Sequence, residues 1–428
     1  MTVVIGMTVL MLVLLLLTVP VAFAVGVAAV AALQSMGISW QLVPGRLYNG
    51  IDSFTLLAIP MYIVAGGLMV RAGIAERLIS MALALVGHRR GGLGNTAVLS
   101  AVMFSGISGS TSASTAALGS ILIPSMSRRG YRKADATAIL SGACAAGILV
   151  PPAMSMIVFS GLTGSSVSAL FAAGFLPAFC CASAIMLYVR WHATKADVEV
   201  LPRLSAQERW RALRAGLPAL VLPVLVFGGI FSGMFTATEA GVVAVLYAMG
   251  LGGFFYRSLT MSDITEVLGT AVLTCGVVLI MVTISGIFSW VLTANQVPRL
   301  LVAAVGAYEL TPFLFLLCII VIFVLLGMIM DELAIMVMLI PIALPLVIAL
   351  GISPIHFGVV VIGCVGIGLF SPPVASALLV ACSVGGVRME DVARPLLPHL
   401  AIVFAVIVML AALPDLTLFL PRLMGLSV

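Results

Sequence analysis

The sequence predicts an all-α protein that crosses a membrane many times and is built from two inverted repeats, each with a re-entrant helical hairpin and a helix broken at Pro-Pro. Three observations support this prediction. Of 428 residues, 63% are hydrophobic and 8% are charged, whereas soluble domains carry roughly 25% charge. Long apolar segments follow one another along most of the chain. The pairs Pro151-Pro152 and Pro372-Pro373 stand 221 positions apart, and their surroundings repeat at that offset.

The apolar segments define the crossings. The first, Val3 to Leu33, is longer than a signal-peptide core and lacks an A-x-A-type cleavage site, which predicts a crossing that is kept. Residues 74–87 and 297–309 are too short and too polar to span, so we predict arms that lie along the membrane surface. Crossings are predicted near residues 5–33, 54–70, 137–163, 167–189, 214–231, 239–256, 267–293, 355–385 and 396–421.

Charged residues locate two hairpins between these crossings. His88-Arg89-Arg90 and the cluster from Arg128 to Lys133 flank residues 91–127, and basic clusters mark the cytoplasmic side. That segment therefore enters and leaves on one side, as a re-entrant hairpin or as two short spans. Residues 313–350 are interrupted by Asp331-Glu332 and have no flanking Lys or Arg, which predicts a second hairpin that opens from the periplasmic side.

An internal repeat organises the chain. Five crossings separate the first crossing from its counterpart near 239–256, and this odd number predicts inverted repeats, with the N-terminus inside and the C-terminus outside. Inverted repeats with interrupted helices are a transporter architecture, with sites at the repeat interface. At the offset of 221 the matched residues are Gly106 and Gly327, Pro124 and Pro345, Gly130 and Gly351, Gly142 and Gly363, Gly147 and Gly368, Ser155 and Ser376, and Leu176-Pro177 and Leu397-Pro398.

The first hairpin turns through a run of glycines and hydroxyl residues, Phe104 to Ser114. Irregular backbone at membrane depth is tolerated only where it is buried in protein or lines a wet cavity. Its partner element is Gly147 to Ala153, where two prolines leave upstream carbonyls without helical partners. Hydroxyls and freed carbonyls suit Na⁺, so we predict a cation site here. The alternative is a helix-packing surface of small residues.

The repeat predicts a second cation site, formed by the turn Gly327 to Asp331 and the break Gly366 to Pro373. Asp331 places a carboxylate between apolar arms, which costs about 2.5 to 3.5 kcal/mol on insertion scales and indicates a functional role. The alternative role for Asp331 is the N-cap of the following helix, with Glu332 in its first turn. The two roles are compatible.

Other features narrow the function classes. The sequence has no G-x-x-x-x-G-K-[ST], H-E-x-x-H or G-x-S-x-G motif, which argues against ATP-driven pumping and against an enzyme. The chain has a net charge of +5, but the location of the charged residues matters more than their sum, because they set membrane topology and do not indicate nucleic-acid binding. Glu239, which follows Thr236, is predicted to cap a helix start.

Ordered motifs then identify a family. They are Phe54 to Pro60, Phe104 to Ser110, Leu118 to Pro124, Pro151-Pro152, Phe235 to Glu239, Gly327 to Asp331 and His356 to Gly358. Together they resemble the large membrane subunit of tripartite ATP-independent periplasmic (TRAP) transporters. The resemblance implies an ion-transporter-superfamily elevator fold with scaffold and transport domains. It divides the chain into residues 1–90 (scaffold helices and arm of repeat 1), 91–190 (hairpin 1, broken helix and following span), 191–235 (basic cytoplasmic loop and linking span), 236–310 (scaffold helices and arm of repeat 2) and 311–428 (hairpin 2, broken helix and last span).

The resemblance also implies a function, partners and site residues. It implies Na⁺-coupled uptake of a small organic acid, such as a C4-dicarboxylate, a keto acid or sialic acid, across the bacterial inner membrane. A periplasmic binding protein would deliver the substrate, and a small four-span membrane subunit would pack against the scaffold; because the chain begins at the first crossing, we expect that subunit to be separate. No organic cofactor is implied. The residues implied are Ser105, Ser108, Gly109, Ser110, Gly147, Val150 and Pro151 for one Na⁺, Gly327, Met330, Asp331, Gly366, Gly368 and Ser371 for another, and Ser110, Thr111, Ser112, Ser155 and Ser376 for substrate.

The sequence departs from the family pattern at two places. The first turn continues as Thr111 to Thr115, where many relatives place an acidic residue, and Gly363 to Gly366 stands where relatives often carry an Asn. No arginine lies in either hairpin tip, so hydroxyls and backbone amides are expected to bind a carboxylate substrate. The alternative function is an autonomous anion/Na⁺ symporter or exchanger of the wider ion-transporter fold that needs no binding protein. The paired hairpins argue against a membrane scaffold protein or an intramembrane enzyme.

Overall fold

The computed structural model describes residues 2–39, 41–193, 201–307 and 310–428. Within these ranges the chain forms helices and no strand, so the predicted all-α fold class is confirmed. Seven of the described helices are long and apolar enough to cross a membrane by length and composition. Part of the predicted basic loop, residues 194–200, lies outside the described residues.

The described helices fall into the two halves of the chain. The first half contains α1 (Thr2–Leu16), α2 (Val21–Ser35), α3 (Leu42–Ile51), α4 (Ala58–Arg71), α5 (Ile74–Val86), α6 (Gly92–Ser108), α7 (Thr111–Ser127), α8 (Lys133–Gly147), α9 (Met154–Thr163) and α10 (Val167–Ala193). The second contains α11 (Ala206–Phe231), α12 (Ala237–Gly250), α13 (Met261–Ala294), α14 (Val297–Ala307), α15 (Pro312–Gly327), α16 (Glu332–Ala349), α17 (Pro354–Gly368), α18 (Ser376–Gly385), α19 (Met389–Ala412) and α20 (Pro414–Leu423). A 3₁₀ turn (Phe54–Leu57) precedes α4, and a π-helical turn (Leu251–Phe255) extends α12.

The predicted single crossing at residues 5–33 is wrong. The chain reverses between α1 and α2, because Thr18 adopts a left-handed conformation with φ of 62° and Pro20 cannot continue a helix. Thr2 and Met7 of α1 line one groove with Ala32 and Ser35 of α2, so the two helices run antiparallel. Each has 15 residues, about 22 Å of helix. The number of crossings from which we predicted inverted repeats and the sides of the two termini therefore changes. The inverted arrangement and the sides of the termini stay predictions.

The 221-residue offset reappears in the helix bounds. Helices α8 and α17 begin and end 221 positions apart, and α7 and α16 begin 221 positions apart. Contacts between the halves are reciprocal: α2 packs on α13 while α4 packs on α12, and α7 packs on α18 while α9 packs on α16. A two-fold relation between the halves produces such paired contacts.

The hairpins and broken helices surround the centre of the molecule. Helices α6 and α7 form the first hairpin, α15 and α16 the second, and the Pro-Pro segments separate α8 from α9 and α17 from α18. Both Pro-Pro peptide bonds are cis. Helix α17 is buried along its length from Ile355 to Gly368, and α8 is buried from Ala136 to Gly147. Helices that are apolar all round lie in the interior of a large protein, so these two form its core.

Of two predicted helix starts, the one at α12 is confirmed and the one at α11 lies earlier in the chain than predicted. Thr236 and Glu239 form a capping box at α12, where the Thr236 amide donates to the Glu239 carboxylate at 2.8 Å, as predicted. Helix α11 begins at Ala206, eight residues before the predicted crossing at 214, because Ser205 and Glu208 form another capping box within the basic segment.

Candidate cation and substrate site

The tip of the first hairpin is a tight turn tied by serine side chains. Gly109 adopts φ of 64°, a left-handed conformation that glycine reaches without steric cost. Ser110 caps α7, since its Oγ accepts a hydrogen bond from the Ala113 amide at 3.4 Å. The hydroxyls of Ser108 and Ser114 lie 2.5 Å apart. The turn is therefore held by its own hydroxyls as well as by the helices on either side.

The Pro-Pro break of the first half meets this turn. The Met154 amide donates to the Gly109 carbonyl at 3.4 Å. A Cβ atom on Gly106 would lie 3.0 Å from the Pro151 carbonyl oxygen, and one on Gly147 would collide with the Ser105 hydroxyl. Glycines at these two positions let the backbone of the break approach the hairpin. The structure thus brings the residues of the first predicted Na⁺ site together.

A small cavity lies between the hairpin turn and the break, with room for one water-sized sphere (about 10 Å³). Five of the seven residues predicted for the first Na⁺ site line this cavity. The other two, Ser108 and Pro151, are not among its lining residues, and Ser108 lines a different cavity described below. Of the predicted substrate residues, Thr111 and the buried Ser155 also line it, whereas Ser112 and Ser376 are exposed and lie outside it. The lining residues are Ser105, Gly109, Ser110, Thr111, Gly147, Ile148, Val150, Ala153, Ser155 and Glu332.

Glu332 is a lining residue that the sequence prediction assigned only to the first turn of α16. It comes from the second hairpin, yet it reaches the cavity of the first. Its Oε2 atom is fully buried and has no hydrogen-bond partner within the described part of the chain. The signal in the sequence was its place beside Asp331, in an otherwise apolar segment.

The second predicted Na⁺ site is assembled in part. A Cβ atom on Gly327 would lie 2.8 Å from the Gly368 Cα atom, so the turn and the break touch through glycine backbone. Asp331 is exposed and caps α16, with its Oδ2 accepting from the Leu333 amide at 3.4 Å. Ser371 donates its hydroxyl to the Ile367 carbonyl at 2.8 Å. Gly366 faces α8 instead, where a Cβ atom would meet the Ala145 carbonyl oxygen at 2.6 Å.

A larger cavity of about 270 Å³ lies on the other side of the same hairpin tip. Gly109 and Ser110 line both cavities, and helices α4 and α13 form the opposite wall of the larger one. Arg71 and Glu266 line it and form an ion pair, and Arg71 also lies 3.7 Å from Asp263. The sequence prediction found no arginine in either tip. Arg71 reaches this cavity from α4, which only the tertiary fold brings to the hairpin.

Comparison with known proteins identifies the family. A family model described as "Tripartite ATP-independent periplasmic transporter, DctM component" matches residues 8–416. The chain belongs to this family. This confirms the predicted membership and a multi-pass protein of the bacterial inner membrane.

Two relatives agree with this family assignment, and a solved structure is similar in fold. The TRAP permease is 36% identical to the sialic acid TRAP transporter large permease protein SiaM of Vibrio cholerae, over 94% of this chain and 95% of the relative. It is 36% identical to the C4-dicarboxylate TRAP transporter large permease protein DctM of Pseudomonas aeruginosa, over 89% of this chain and 90% of the relative. Its fold is similar to that of the YdaH transporter of Alcanivorax borkumensis, with a TM-score of 0.62 and 15% identity over 86% of each chain.

Proposed function

We propose that this permease takes up a small organic acid across the inner membrane by Na⁺-coupled transport. One observation supports coupling above all others: Gly109 and Ser110 line both a cavity the size of one ion and a cavity of about 270 Å³. A cation in the first would fix the backbone that forms one wall of the second. Cation binding would thereby organise the substrate site, which is the requirement for coupled transport.

The residues around the small cavity fit Na⁺. They offer the hydroxyls of Ser105 and Ser110, carbonyls released at the Pro-Pro break, and an unpartnered carboxylate oxygen of Glu332. Carbonyls freed at helix breaks coordinate Na⁺ in transporters with repeated halves. The second predicted site, from Gly327 to Asp331 with Gly366 to Ser371, would hold a further Na⁺. Substrate would occupy the larger cavity, which Ser110 lines, whereas the other predicted substrate residues Thr111 and Ser155 line the cation cavity.

The substrate class is proposed from the relatives and from the larger cavity. The names of two relatives specify sialic acid and C4-dicarboxylates, which are both small organic acids. At about 270 Å³ the cavity is slightly below the range of roughly 300 to 1,000 Å³ for drug-sized ligands. The transport unit would comprise the two hairpins and broken helices, which move together against the remaining helices as an elevator. A periplasmic binding protein would deliver substrate, and a four-span membrane subunit would complete the permease.

Proteoliposome uptake tests this function. The chain is reconstituted with its four-span partner, and uptake of radiolabelled succinate, pyruvate and N-acetylneuraminate is measured with and without the binding protein. We expect uptake of at least one of them only with an inward Na⁺ gradient and the binding protein present, and a fall to background when K⁺ replaces Na⁺. Uptake of free substrate by this chain alone would instead establish the autonomous symporter. Equal uptake with and without a Na⁺ gradient would contradict the proposed Na⁺ coupling.

A further inference from the structure

We propose that Glu332 of the second hairpin supplies the negative charge of the cation site at the first hairpin, so that one Na⁺ links both hairpin tips. This inference rests on the Na⁺ coupling proposed above. It concerns the composition of the site, since the predicted ligands of the first Na⁺ all came from the first half of the chain. The ligand class is a small monovalent cation.

The first half of the chain provides only neutral ligands at this cavity. Its lining hydroxyls belong to Ser105, Ser110, Thr111 and Ser155, and its other lining groups are backbone and apolar side chains. Neither α6 nor α7 contains an Asp or a Glu, and neither does the break from Gly147 to Ala153. Glu332 is the one ionisable residue among those that line the cavity.

Within the described residues, no ion pair and no hydrogen bond to its buried Oε2 atom offsets the charge of Glu332. Removing a carboxylate from water without a partner costs several kcal/mol. The neighbouring Asp331 differs, because it is exposed and bonded to the Leu333 amide. A cation in the cavity would offset the Glu332 charge and use the neutral oxygens that face it.

The position of Glu332 in the fold gives the cation a second role. Glu332 is the first residue of α16, whereas Ser105 lies in α6 and Gly147 ends α8. A cation bound to all three elements would hold the second hairpin against the first hairpin and its break. The small volume of the cavity, about 10 Å³, would favour Na⁺ over the larger K⁺. Cation occupancy would therefore set the relative position of the two tips.

Thermal unfolding of the purified full-length chain in detergent tests the inference without a transport assay. The midpoint is followed against NaCl concentration, with KCl holding the ionic strength constant, because a ligand that binds only the folded state raises the midpoint. The perturbation is Glu332→Gln, which keeps the shape and removes the charge. We expect the variant to need at least about 100-fold more Na⁺ for the same shift, because losing one partner of a buried ion pair is strongly unfavourable. Glu390→Gln is the matched control, since Glu390 is an exposed residue in the first turn of α19, and it should respond like the wild type.

The outcomes separate this inference from the proposed function. If the unfolding midpoint of the wild-type chain does not change with Na⁺ concentration, the proposed Na⁺ coupling itself is contradicted. If Na⁺ raises the unfolding midpoints of the wild type and of Glu332→Gln at the same concentrations, the role of Glu332 is overturned. The proposed Na⁺ coupling would then be unaffected. If the variant does not fold, carbodiimide labelling of carboxylates in the wild type, mapped by mass spectrometry, tests the inference instead. Na⁺ should protect Glu332 from labelling where K⁺ does not, and equal labelling in both salts would refute the inference.

Discussion

The glycine contact between the second hairpin and its break offers the sharpest test of the packing. Gly327 ends α15 and Gly368 ends α17, and a Cβ atom on Gly327 would lie 2.8 Å from the Gly368 Cα atom. That is about 0.7 Å short of the roughly 3.5 Å at which carbon atoms pack. Both sides of the contact are backbone, so no side-chain rotation can relieve the overlap. Gly327→Ala should therefore push the hairpin away from α17.

The expected cost follows from overpacking a filled interior, which is about 1 to 3 kcal/mol. The control is Gly228→Ala, in the last turn of α11, where an added Cβ atom meets nothing within 4 Å. There alanine replaces glycine in an open helical position, which stabilises by up to about 1 kcal/mol. The two variants carry the same substitution, yet their stabilities should differ by about 1 to 4 kcal/mol.

The two variants are compared by thermal unfolding in detergent. Unfolding is followed by intrinsic fluorescence and by the loss of the monodisperse peak in size-exclusion chromatography. We expect the Gly327→Ala midpoint to fall below that of the wild type and the Gly228→Ala midpoint to equal or exceed it. If Gly327→Ala unfolds at or above the temperature of Gly228→Ala, the glycine contact does not determine the position of the hairpin, and the close approach drawn from the structure is refuted.

Two further predictions concern side chains near the hairpin tips. Ser108→Ala and Ser114→Ala should each destabilise the fold, and a double-mutant cycle on thermal stability should give a coupling of about 0.5 to 1.5 kcal/mol, as for one hydrogen bond; additive effects would show that the hydroxyls do not interact. Asp331→Asn should keep the stability of the wild type because asparagine also caps helices, whereas Asp331→Ala should cost about 1 kcal/mol; equal stability of the two variants would exclude the capping role.

The hairpins and breaks were predictable because glycine and proline report on local backbone. Pro151-Pro152 and Pro372-Pro373 end α8 and α17 where the sequence placed the breaks, and the helix bounds follow the same 221-residue offset. The reversal at Thr18 was missed for the opposite reason. Pro20 lies inside a long apolar run, and the run length outweighed one proline. A proline can kink a helix as well as end it, so Pro20 alone did not distinguish one long crossing from two antiparallel helices.

The candidate site was predictable only where its residues are close in sequence. The hydroxyl-rich turn from Ser105 to Ser110 is a continuous motif, so its role as a ligand set could be proposed directly. Glu332 lies in the opposite half of the chain from that turn, and Arg71 reaches the hairpin from a helix with no motif of its own. Their positions follow from how the two halves pack together. A carboxylate or guanidinium that joins a site from another element leaves no local signal beyond its charge.

The reciprocal packing of the halves has a consequence for biosynthesis. Helices α2 and α4 bury surface against α13 and α12, which leave the ribosome after the whole first half has been made. The first half therefore enters the bilayer with these surfaces facing lipid or an insertion factor, and it reaches its final arrangement only when α12 and α13 arrive. We therefore expect a chain that terminates between α10 and α11 to lack these contacts and to be open to proteolysis.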